Sequence, residues 1–174
     1  MSRNPLLLIH VTVGNNLKMN PDEIINHKID KIKYHYDLTD GFQVSSSYLK
    51  LSNGKIIDLP HYHNLEKISI DSRLENSKKN YKKAKRINRK EREKIQGQSI
   101  VDIHYCFYEN ESDEERRAHI ELSNGMYLTE ENYGVVGMSI GLILRNKEEF
   151  DRLKNELEDG FEIRSYLREI KNVS

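Results

Sequence analysis

A single cysteine, Cys106, leaves the chain without an intrachain disulfide. That points to a reducing compartment, and the cytoplasm is the expected location. Tryptophan is absent, and only three prolines occur in 174 residues. No apolar run approaches the roughly 20 residues that cross a bilayer as a helix. The stretch from Leu6 to Val13 is too short, contains His10 and lacks a small-residue cleavage site. It reads as a strand rather than a secretion signal. Net charge is lacking too, with 28 Lys+Arg against 28 Asp+Glu. A hydrophobic fraction of 36% beside a charged fraction of 32% implies a thin core and many solvated faces.

The zero net charge hides a segregated layout. Residues 1–71 are neutral, residues 72–99 carry +8 and residues 100–174 carry −8. Blocks of this size shape the local potential and steer charged partners. Tyr outnumbers Phe by 10 to 4, and tyrosine's apolar ring with a polar tip suits half-buried strands and protein interfaces.

The second thing present is a repeat. At an offset of 71 residues, Ile29, Ile32, Tyr34 and Tyr36 align with Ile100, Ile103, Tyr105 and Phe107. Leu49 and Leu51 align with Ile120 and Leu122, Ser52-Asn53-Gly54 with Ser123-Asn124-Gly125, and Tyr62 with Tyr133. Within each copy, apolar residues alternate with polar ones, the period-2 pattern of a half-buried strand. Asn-Gly then predicts a type I′ hairpin turn in both copies. Two copies are too few for a solenoid, so two related modules are expected.

Helical signals are fewer. Asn20-Pro21-Asp22-Glu23 predicts a short capped helix. Asn146 through Glu149 predicts another, with Phe150, Leu153 and Leu157 on one face and Gly160 as its stop. A strand is expected over 161–170. Residues 74–95 are strong helix formers with a narrow apolar stripe of Leu74, Tyr81, Ala84, Ile87 and Ile95. The expected architecture is α+β: a first β module with a short helix over 1–71, a long basic helical connector over 72–99, and a second β module with a C-terminal helix and strand over 100–174.

Candidate chemistry is sparse. The basic stretch with Lys78, Lys79, Lys82, Lys83, Lys85, Arg86 and Arg89 is either a solvated connector, a contact for an acidic protein or a nucleic-acid contact made by phosphate neutralisation. His61 and His63 share a face if extended, and His35, Asp58 or His10 could complete a metal set. The second copy replaces both histidines, by Asn132 and Gly134, so no metal or other cofactor is expected. His104 and His119 are expected on outward or edge positions, where Glu121 could join them in acid–base work. Cys106 lacks an activating neighbour and reads as a structural thiol. Gly134, Gly137 and Gly141 lack the Lys-Ser/Thr of a phosphate loop and read as bends. No catalytic residue is assigned.

The second copy runs from a strand through the acidic loop Glu109–Glu115 to HIELSNGMYLTEENYG, then a glycine-punctuated apolar strand and NKEEFDRLKNEL. This layout, over residues 100–170, resembles small bacterial immunity partners of secreted polymorphic toxins. The resemblance implies a cytoplasmic, non-enzymatic protein with an acidic face that plugs a basic toxin active site. The leading expectation is therefore an inhibitor of a protein partner, with contacts at Tyr108, Glu109, Glu111, Asp113, Glu114 and Glu115. A nucleic-acid-associated regulatory or anti-defence role through the basic connector is the alternative, and a metal-dependent hydrolase using the histidines is the third.

Overall fold

The computed structural model describes residues 21–39, 42–58, 72–109, 111–112, 118–133 and 139–171. The fold is α+β, with two antiparallel sheets and few helices. After a 3-10 turn at Pro21–Glu23, the first sheet is built from β1 (Ile29–Thr39), β2 (Phe42–Leu51) and β3 (Ile56–Asp58). Helix α1 (Ser72–Lys83) follows, and β4 (Lys85–Arg86) returns to the sheet, giving the order β3-β2-β1-β4. Helix α2 (Arg89–Ile95) then leads into the second sheet. That sheet comprises β5 (Ile100–Tyr108), β6 (Glu111–Ser112), β7 (His119–Leu122), β8 (Tyr127–Tyr133) and β9 (Ser139–Arg145). Helix α3 (Lys147–Asn155) and β10 (Phe161–Ser165) complete it, in the order β10-β5-β7-β8-β9, with β6 also paired to β5.

The two sheets share one apolar core. Ile29, Ile32, Leu49, Leu51 and Ile57 of the first meet Ile100, Ile103, Tyr105, Phe107, Ile120, Leu122 and Leu128 of the second. Each sheet also carries a helix against its other residues. Tyr81 and Ala84 near the end of α1 pack with Tyr48 and Ile56, and Phe150 of α3 packs with Cys106, Tyr127 and Ile163. Glu130, 2% exposed, ties the sheets together by accepting the buried Ser47 N–H at 2.9 Å.

Positions 71 apart make the same bonds. Leu51 N–H donates to Lys55 O and Leu122 N–H to Met126 O, both at 2.8 Å. Ser52 Oγ accepts from Lys28 N–H at 3.1 Å, as Ser123 Oγ does from Ser99 N–H at 3.0 Å. Asn53 Nδ2 reaches Glu23 O and Asn124 Nδ2 reaches Lys94 O, at 3.1 and 2.8 Å. The segments before the two long strands also bond to each other reciprocally. Asn26 N–H donates to Ile100 O and Gly97 N–H to Ile29 O, both at 2.8 Å. Ile29 N–H donates to Gln98 O and Ile100 N–H to His27 O, at 2.8 and 3.0 Å, around a bridge between Lys28 and Ser99. Asn26 and Gly97 both take the left-handed conformation, φ +68° and +86°, just before the strands.

Several expectations need correction. The single long basic helix is two helices separated by β4. The peptide groups of Lys85 and Arg86 pair with Tyr34 and Lys33 instead of continuing the helix, and Asn88 starts the next one by accepting Glu91 N–H at 3.0 Å. The Asn-Gly turns are not type I′. Only Gly54 and Gly125 have positive φ, at +83° and +78°, and each hairpin is a three-residue loop closed by a glycine bulge. The strand expected over 161–170 stops at Ser165, whose side chain caps a π-helical turn, Tyr166–Ile170. The Asn146–Glu149 capping box is present as expected.

Candidate functional site

Three groups of side chains stand out, and the first is buried. A one-residue bulge after Ile100 resets the phase of β5. Ile100 and Ile103 therefore both face the core, while Asp102 and His104 fall on the face beneath Phe150 and the C-terminal turn. Asp102, 1% exposed, accepts the Ser165 hydroxyl, Leu167 N–H at 3.1 Å and Ile103 N–H at 2.7 Å. His104 Nε2 lies 2.8 Å from Glu121 Oε2, and Arg168 Nη2 donates to the same oxygen at 3.2 Å. Arg168 Nε stands 4.0 Å from Asp102. A carboxylate opposite Nε2 assigns the proton there, and Nδ1 of His104 is then buried without a hydrogen-bond partner.

The expected outward placement of His104 and His119 is thus overturned. They are 4% and 6% exposed, with Phe150 ring contacts at 5.1 and 5.2 Å. Period-2 alternation places them correctly off the core, but α3 covers that face. Asp102, His104 and Glu121 offer ligand atoms within 4.8 Å of one another. Their oxygens already accept the donors just named, and the Arg168 guanidinium supplies the positive charge between the two carboxylates. The arrangement fits buried carboxylates capped by a solvent-facing Arg168, 67% exposed, better than a metal site.

The second group is an exposed tip at the end of β5. Tyr108 is 44% exposed, with its ring 4.7 Å from that of Phe161. It also lies over Gly160, where a Cβ would come within 2.9 Å of Tyr108 Cε2. Glu109 holds a left-handed backbone, φ +47°, and its N–H donates to Gly160 O at 3.0 Å. Strand β6 pairs Glu111 with Tyr108, and the turn from Glu158 brings exposed Asp159 and Glu162 to the same end. Asp113, Glu114 and Glu115 lie outside the described residues, as do His10, His61, His63, Gly134 and Gly137. Sequence reading misses Phe161, Gly160 and Asp159, which no local motif links to Tyr108; only strand pairing does.

The third group is basic. Lys78, Lys79, Lys82, Lys83, Lys85, Arg86 and Arg89 are all exposed, spread over α1, β4 and α2. Arg89 is ion-paired with Glu93 at 2.6 Å. A cleft of about 190 Å³ lies beside them, lined by Lys31, Ile32, Lys33, Arg86, Arg92 and Gln96. The usable signal for it is the 71-residue offset: Lys31, Lys33 and Lys50 stand 71 positions before Asp102, His104 and Glu121.

No protein-family model, curated protein or solved structure matches the chain. Among the described residues no helix is long and apolar enough to cross a membrane.

Proposed function

We propose that this chain is a duplicated α+β module acting as a non-enzymatic binding protein of the immunity or inhibitor type, working in the cytoplasm. Its contact surface is the acidic tip around Tyr108 and Glu109. The observation that carries this reading is the clamped, exposed Tyr108. Binding hot spots are commonly aromatic anchors held rigid before the partner arrives. Phe161 and Gly160 restrain the ring, and the left-handed Glu109 fixes a carboxylate next to it. A non-glycine residue in that conformation costs roughly 1–2 kcal/mol, and such strain is typical of ligand-clamping segments. Exposed Glu109 and Asp159 add negative charge at this end, and the sequence 109–115 is acidic, which suits a basic protein surface. The lone buried Cys106 accords with a reducing compartment.

The test is a pull-down from the source cell with wild type, Tyr108→Ala and Glu109→Lys as baits, each first checked for an unchanged thermal midpoint. A basic protein held at one-to-one stoichiometry by wild type, and about thirtyfold more weakly by Tyr108→Ala, supports the reading. Equal retention of that protein by all three baits refutes it.

A further inference from the structure

We propose that the cleft between β1, β4 and α2 seats a phosphate group of a nucleic-acid backbone. The argument begins with strand register. Lys31 stands directly across from Lys50, and Lys33 directly across from Arg86. Like charges in opposed positions destabilise a sheet, and here two such pairs are adjacent on one face. Lys33 is partly relieved, since its ammonium donates to Tyr81 O at 3.0 Å and lies 4.3 Å over the Tyr81 ring. Arg92 of α2 and Gln96, the C-cap of that helix, close the cleft with further donors, and among the described residues its lining contains no carboxylate. Asp30, exposed on the β1 bulge, lies outside the lining.

The second copy shows what a balanced version of this cluster looks like. There the equivalents of Lys31, Lys33 and Lys50 are Asp102, His104 and Glu121. Ser165 pairs with His104 as Arg86 pairs with Lys33. That cluster is closed from within by Arg168. Among the described residues lining the first cluster's cleft there are cations and no carboxylate, so an external anion complements it. Arginine and lysine donors converging on one small cleft suit a phosphate oxyanion. The exposed cations of α1, β4 and α2 continue beyond the cleft and favour a polyanion, which makes a nucleic-acid strand the source. This inference stands independently of the acidic tip.

The experiment uses the full chain and fluorescence anisotropy of a labelled single-stranded oligonucleotide, with inorganic pyrophosphate as competitor. With about four phosphates neutralised, raising salt from ~50 to ~200 mM lowers affinity about fiftyfold. The double variant Lys31→Glu/Arg86→Glu loses about tenfold or more. Lys90→Glu/Lys94→Glu, with the same change in net charge outside the cleft, loses clearly less. Lys31→Glu also raises the urea midpoint, because Lys50 gains an opposite charge. Pyrophosphate displaces the oligonucleotide from wild type. No oligonucleotide binding at low salt overturns the proposal, as does equal loss in the two double variants. Pyrophosphate binding without oligonucleotide binding overturns it as well.

Discussion

Truncating Asp102 to alanine isolates what its hydrogen-bond network contributes. The carboxylate is 1% exposed, and it accepts Leu167 N–H at 3.1 Å and the Ser165 hydroxyl. Its removal orphans three donors, Ile103 N–H being the third, each worth about 1–3 kcal/mol when left unsatisfied inside a protein. It also takes away one of the two negative charges facing Arg168. The upper end of that range is not reached, because the turn Tyr166–Ile170 can open and admit water. The expected loss is about 3 kcal/mol, or roughly 6–12 °C in thermal midpoint for a chain of this size. Asp102→Asn keeps an acceptor for Leu167 N–H and costs about half as much. The assay is urea unfolding of both variants, with amide exchange read at Leu167 and Arg168. If Asp102→Ala unfolds within about 0.5 kcal/mol of wild type, the network is not structural. A second arm separates ion pair from metal site. Chelator leaves the wild-type midpoint unchanged if Arg168 is the resident cation, whereas a fall matching that of Asp102→Ala establishes a metal.

Two further outcomes follow from the same geometry. Burial is the first cause that raises Tyr105, Tyr81, Tyr127 and Tyr166 above the ordinary tyrosine range; Tyr166, Asp30, Glu121 and Asp22 respectively are the next contributors. The native state holds protons that the unfolded chain releases near pH 10, so stability is full below ~pH 10 and falls as pH rises above it. The tyrosinate signal of these four residues should appear together with the loss of circular dichroism, and their ionising near pH 10 in an intact fold would contradict this. Gly54→Ala and Gly125→Ala meet no atom within 4 Å, so only the left-handed backbone resists them. Each should cost about 1–2 kcal/mol in urea unfolding, by nearly equal amounts; a twofold disparity would break the equivalence of the two hairpins.

The elements legible in the sequence are those governed by local chemistry. Alternation marks the long strands, Asn-Gly marks both hairpins, and Asn146 with Glu149 marks the start of α3 through reciprocal hydrogen bonds. What escaped the sequence depends on partners far along the chain. The bulges after Ile29 and Ile100 shift register without a signature residue, since Asp30 and Val101 have nothing in common. Helix propensity across 84–88 is outweighed by a sheet edge more than 50 residues earlier in sequence, at Lys33 and Tyr34. His104 looks exposed until α3 sets Phe150 over it. The acidic residues at the tip are visible as composition, but the restraint on Tyr108 requires β10 to lie beside β5. The cationic cleft is legible only as an opposition between positions 71 apart: Lys31, Lys33 and Lys50, on one face of the first sheet, stand against Asp102, His104 and Glu121 of the second.

The reciprocal bonds linking Asn26, Ile29, Gly97 and Ile100 join peptide groups, not side chains. The bonds themselves do not depend on side-chain identity. Apart from the two left-handed positions they exclude only proline, while Ile29 and Ile100, 0% exposed, are held to apolar residues by the core they fill. The chain's prolines, Pro5, Pro21 and Pro60, all fall elsewhere. Sequence drift can therefore rewrite the outer faces of either half, reversing even the sign of a charge cluster, without disturbing how the halves are held together.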